Sequence, residues 1–97
     1  MGANDFGRFN YTLQECREGL LRDMAEFGER YTMLAKAFEL LETTQENQEL
    51  VRQWFDLYMR VIDESSYYKF GRKMEELEKQ IELAWNRGRN ANSLSMR

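Results

Sequence analysis

Between Leu13 and Leu41, apolar side chains return at alternating intervals of four and three: Leu13, Leu20, Met24, Phe27, Tyr31, Leu34, Phe38 and Leu41, with Arg17 as the single interruption. A strand cannot carry this pattern, because its side chains change face at every residue. The chain also has no proline to force a helix to end. The spacing therefore predicts one long helix over about residues 12–42, about 45 Å at 1.5 Å per residue. It opens on a capping box in "TLQE", where Thr12 caps the first free N–H groups and Glu15 reaches back. Gly19 and Gly28 lie inside it at a cost of about 1 kcal/mol each against alanine.

Two further helical periods follow. The polar stretch "TTQENQE" predicts a turn, and a second helix over about 46–64 has Leu50, Val51, Trp54, Phe55, Tyr58, Val61 and Ile62 on its apolar face. A third helix over about 67–87 uses Tyr67, Phe70, Met74, Leu77, Ile81, Ala84 and Trp85, with Gly88 placed as a C-terminal cap. The apolar phase slips by about one residue at "ESSYY", which favours a junction there over one continuous helix. The expected fold is all-α: an antiparallel three-helix bundle, or a helical hairpin with a long first helix. It is organised as an N-terminal arm (1–11), a helical domain (12–88) and a flexible tail (89–97).

Composition narrows the role. Ninety-seven residues make one domain with a modest core. No apolar run approaches the ~18 residues of a membrane span, and "MGANDFGRFN" carries no signal-peptide pattern. Phe6 stands where a myristoylation signal needs Ser or Thr. A single cysteine, Cys16, suits a reducing, cytoplasmic setting. The absence of histidine removes the commonest general base and metal ligand, so the expectation is a protein that is not an enzyme and takes no cofactor.

Charge is uneven. Residues 1–10 are neutral, 11–43 and 44–64 each carry minus three, and 65–97 carry plus three. The stretch "SSYYKFGRK" contributes a basic edge of Lys69, Arg72 and Lys73 beside tyrosines, which supports an alternative as a nucleic-acid-associated protein aided by the C-terminal arginines. Glu75, Glu76, Glu78 and Glu82 dilute that patch, and the pI near 5.0 opposes a dedicated nucleic-acid binder. The plan of one long and two shorter helices is similar to that of the helical chorismate mutases, in helix plan alone. That likeness implies a dianion held by several arginines and a lysine, and Arg17, Arg30 and Lys36 do not fall into that family's pattern.

Length supplies the functional expectation. Two helices of about 30 Å cannot cover one of about 45 Å, so part of its stripe needs another cover. A homodimer is the preferred solution, with a different protein or the N-terminal aromatics Phe6, Phe9 and Tyr11 as the others. The expected role is a non-enzymatic protein–protein interaction module: an adaptor, assembly factor or inhibitor of a larger machine, in the style of a small phage or mobile-element protein. The candidate contacts are Leu13, Leu20 and Met24, Trp54 or Phe55 (whichever faces out), and Tyr68.

Overall fold

A computed structural model describes residues 11–64 and 67–95, with side chains at 11–62 and 71–88. The described chain is all-helical, in four helices: α1 (Leu13–Phe27), α2 (Met33–Leu40), α3 (Gln45–Glu64) and α4 (Tyr67–Ser95). The capping box is present as expected. The Thr12 hydroxyl accepts from the Glu15 N–H, and the Glu15 carboxylate accepts from the Thr12 N–H at 2.8 Å.

The helix count is four and not three, because the long first helix is broken. After Phe27 the backbone tightens: the Phe27 carbonyl accepts from both Arg30 and Tyr31, and α2 begins only at Met33. Gly28 makes this possible, since a Cβ there would stand 2.5 Å from the Met24 carbonyl oxygen. The consequence is decisive at the far ends. Arg17 binds Glu42 at 2.7 Å, although 25 residues of straight helix would separate them by about 37 Å. The residue that interrupts the apolar stripe is thus the one that ties the start of α1 to the end of α2.

The predicted turn after α2 is present. Thr43 donates to the Leu40 carbonyl, Gln48 donates to the Leu41 carbonyl, and the Thr44 hydroxyl accepts from the Asn47 N–H at the start of α3. The third predicted helix is longer than expected. It passes through Gly88, which is no cap, and runs to Ser95, so residues 89–95 are helical.

Directions follow from who meets whom. Tyr31, Lys36 and Glu39 meet Glu78, Glu82 and Trp85 in the same order, so α2 runs parallel to α4. The Tyr11 carbonyl, Gly19 and Asp23 meet Arg52, Phe55 and Tyr58, so α1 runs parallel to α3. Among the described residues α1 and α4 each pack on both α2 and α3 but not on each other. The core lies between these layers, built from Leu20, Leu34, Leu41, Val51, Trp54, Phe55 and Ile81. Leu13, Met24, Phe27, Tyr31 and Phe38 pack half-buried around it. With the stripe folded back on itself, the uncovered 45 Å helix is gone, and with it the length argument for a dimer.

Candidate interaction surfaces

Helix α3 has two contrasting sides. Its inner side carries Trp54 and Tyr58, stacked with centroids 4.9 Å apart and planes 16° from parallel. Tyr31 leans on both, at 6.3 and 6.1 Å. Each polar tip of this cluster is answered. Trp54 Nε1 donates to Glu78 Oε2 at 3.0 Å, and the Tyr31 hydroxyl donates to the same oxygen. The Tyr58 hydroxyl donates to Asp23 Oδ2 at 2.7 Å. Burial, and then the bond to Glu78, push the Tyr31 phenol well above its ordinary range. Burial and the bond to Asp23 do the same for Tyr58. These phenols are fixed proton donors: Tyr58 ties α3 to α1 through Asp23, and Tyr31 ties the α1–α2 connection to α4 through Glu78.

A second polar layer lies between α2 and α4. Lys36 binds Glu82 and lies 4.9 Å from the centre of the Trp85 ring, whose Nε1 donates to Glu39 at 3.0 Å. Arg30 lies against Phe27, and Arg17 is engaged by Glu42. The three cations considered for a dianion site are therefore occupied in separate places. Cys16 is fully buried, and burial pushes its thiol up to about 11 despite the opposing charge of Arg52. Among the described residues no group of three His, Cys, Asp or Glu is placed to hold a metal ion, and no helix is long and apolar enough to cross a membrane.

Trp54 and Phe55 are 0% and 2% exposed, so the expectation that one of the pair faces out is corrected. The physical reason is the width of the covered face: α4 closes on Trp54, and α1 closes on Phe55 at Gly19, where a Cβ would lie 2.6 Å from the ring. Leu20 is buried, while Leu13 and Met24 are half-buried against the core. The side chains of Tyr68 and Lys69 lie outside the described residues. Arg72 and Lys73 are both exposed, and Lys73 borders α3.

What remains open is the outer seam between α3 and α4. Two adjoining depressions of about 310 and 240 Å³ run along it, from Glu46 and Arg87 at one end to Gln53 and Lys73 at the other. Leu77 forms the floor, Leu50 is half-buried, and Leu83 stands on the rim at 58% exposure. A further groove of about 290 Å³ between α1 and α3 is lined by Tyr11, Gly19, Phe55 and Met59. Sequence reasoning passed over Leu83 and took Glu78 only as a charge diluting the basic edge, because a search for each helix's main apolar stripe discards whatever falls beside it. Leu83 lies about 120° from Leu77 on the helix circumference, which is the signal that would have singled it out.

Compared with known proteins, the chain matches no family model, no curated protein and no solved structure.

Proposed function

We propose that this protein is a non-enzymatic helical interaction module, an adaptor, assembly factor or inhibitor of a larger machine, and that it engages its partner through the outer α3–α4 seam. The observation that carries this reading is Leu83, the most exposed of the large apolar side chains among the described residues, standing beside the half-buried Leu50 in a groove. The seam is lined mostly by polar side chains, with Leu50, Leu77 and Leu83 as its apolar points, and a few leucines in a polar-rimmed groove are anchors that helix-in-groove recognition can use. The inner aromatic cluster supports the same division of labour, since its polar groups are already engaged and it serves as scaffold.

The test is a photo-crosslinking side chain placed at position 83, and in a control at position 21, in the cells that make the protein. The expected result is a discrete adduct from position 83 only. The purified adduct partner should then bind the chain at least tenfold more weakly after Leu83→Glu, with the melting temperature unchanged. No adduct from position 83, or a partner indifferent to Leu83→Glu, overturns the reading.

A further inference from the structure

The apolar stripe keeps one register through a place where the helix does not. Leu13, Leu20, Phe27, Leu34 and Leu41 are each seven residues apart, and Met24, Tyr31 and Phe38 fill the intervening positions, so the break between α1 and α2 neither adds nor removes a residue. A hairpin of two separate helices needs no common register across its turn, whereas one continuous helix with a single apolar face does. The turn is also close to helical. Gly28 (φ −57°, ψ −33°) and Thr32 (φ −68°, ψ −15°) both have right-handed helical backbone. The N–H groups of Gly28, Tyr31 and Lys36 already bond the carbonyls four residues back, at Met24, Phe27 and Thr32. The reversal is therefore confined to Glu29, Arg30 and Tyr31, flanked by tighter bonds from Arg30 to Phe27 and from Leu34 to Tyr31. No proline stands there, and the Thr32 side chain caps nothing.

We infer that residues 29–31 are a hinge, and that by straightening it two copies of the chain exchange α1. Residues 13–41 then form one helix about 45 Å long, antiparallel to its counterpart about a two-fold axis between the two hinges. In the closed chain α1 lies antiparallel to α2, and two straight helices side by side offer each α1 to the other copy's α2 in that same sense. Arg17 with Glu42, Gly19 under Phe55, and Asp23 with Tyr58 are remade between copies, so no new surface is needed. Only the contacts of the hinge are lost and rebuilt. Tyr31, bonded to Glu78 and packed on Trp54 and Tyr58, is the latch that holds the closed form. A short connection keeps α1 at an effective concentration of millimolar order, so the closed monomer holds in dilute solution and exchange competes when the chain is concentrated. Withdrawing α1 uncovers Cys16 and Leu20, both fully buried, so interconversion is slow and a dimer once formed outlasts dilution. Among the described residues α1 does not pack on α4, so the exchange leaves the α3–α4 seam as it is and is independent of the role given to that seam.

The experiment refolds the purified full chain from urea at about 10 μM and at about 500 μM, then sizes both by sedimentation after dilution. The expected result is monomer from the first and a persistent dimer from the second. A chain with Arg17→Cys and one with Glu42→Cys, both also carrying Cys16→Ala, are refolded together at the higher concentration. A short bismaleimide should then join the two chains within the dimer fraction. Gly28→Ala crowds the closed turn and favours a straight helix, and should raise the dimerisation constant at least tenfold. Two glycines inserted after Arg30 break the shared register and let the turn close more easily, and should abolish the dimer while the monomer keeps its melting temperature. If Gly28→Ala does not fold, the natural chain and the insertion decide. Monomer at about 500 μM in every variant that folds overturns the inference, as does a dimer without the 17–42 link or one that survives the insertion. A dimer lost on Leu83→Glu is a seam contact and overturns it too. Failure of capture from position 83 bears on the interaction reading alone.

Discussion

The inner and outer sides of α3 come from the same twenty residues and are built to opposite rules. Inside, Trp54 and Tyr58 are buried, stacked and hydrogen-bonded to carboxylates on other helices. Outside, Leu50 is half-covered, and Glu46 and Arg87 line the same depression without a salt bridge between them. Aromatic residues attract attention as binding residues because they dominate interfaces, yet here the chain itself consumes them. Partner-seeking groups are the ones left over after the core has been satisfied, and these are leucines and charges. The two sides should therefore respond very differently to substitution.

The largest effect belongs to the inner side. Trp54→Ala removes a fully buried ring, opens a cavity, and leaves Glu78 without one of its two donors. The expected loss is about 3–5 kcal/mol, which for a domain of this size is much of the total stability. Urea denaturation followed by circular dichroism would measure it. A loss below about 1 kcal/mol would mean that the ring is not in the core, and the contrast between the two sides would collapse.

Next comes the break between α1 and α2. Gly28→Ala should destabilise by about 1–3 kcal/mol, because the new methyl meets the backbone oxygen of Met24 and not a movable side chain. Gly19→Ala presses on the Phe55 ring instead, and a comparison of the two variants by denaturation separates backbone strain from core overpacking. If Gly28→Ala were stabilising, as in an ordinary helix interior, residues 12–42 would be one straight helix after all.

That break also marks how far the sequence could be read. Periodicity identifies the side chains that face the core, and Leu20, Leu34 and Leu41 do so. It cannot tell whether the backbone stays straight between them. Phe27, Tyr31 and Leu34 keep their spacing across the tightened turn, so the pattern runs on where the helix does not. The fold class, the Thr12 cap and the turn at 41–44 are local and were legible. The return of α2 onto α1, set by Arg17 meeting Glu42, is a long-range event with no local signature. The seam was legible in part: Lys73 stands out in sequence as a cation, but Leu83 has meaning only once α3 is known to lie beside it.

Alkaline pH tests the inner side by another route. The folded state raises the Cys16 thiol from 9.0 to about 11, and also raises Tyr31 and Tyr58, in each case favouring the protonated form. Their contribution is complete below the unfolded values and is lost as pH rises, from about pH 9 for the thiol and about pH 10 for the phenols. Stability measured by denaturation should hold to about pH 9 and then decline. Cys16→Ala should flatten the curve between about pH 9 and 10, and Tyr58→Phe should flatten it above about pH 10. A native thiol that reacts with Ellman's reagent at pH 8 as fast as the unfolded chain would contradict this picture.

The smallest effect sharpens the comparison most. Leu83→Glu on the outer side should change the stability of the monomer by less than about 0.5 kcal/mol, because the leucine is 58% exposed and surface substitutions away from packed features fall in that range. It also introduces a carboxylate at i−4 to Arg87, a favourable helical pairing that offsets part of any lost contact. The measurement must be made at a concentration where the chain is monomeric, because dimer formation would add a concentration-dependent term. A fold that tolerates this change without cost has no need of Leu83 for itself. If instead Leu83→Glu costs as much as a core substitution, the leucine belongs to the scaffold, and the outer seam has nothing left to offer a partner.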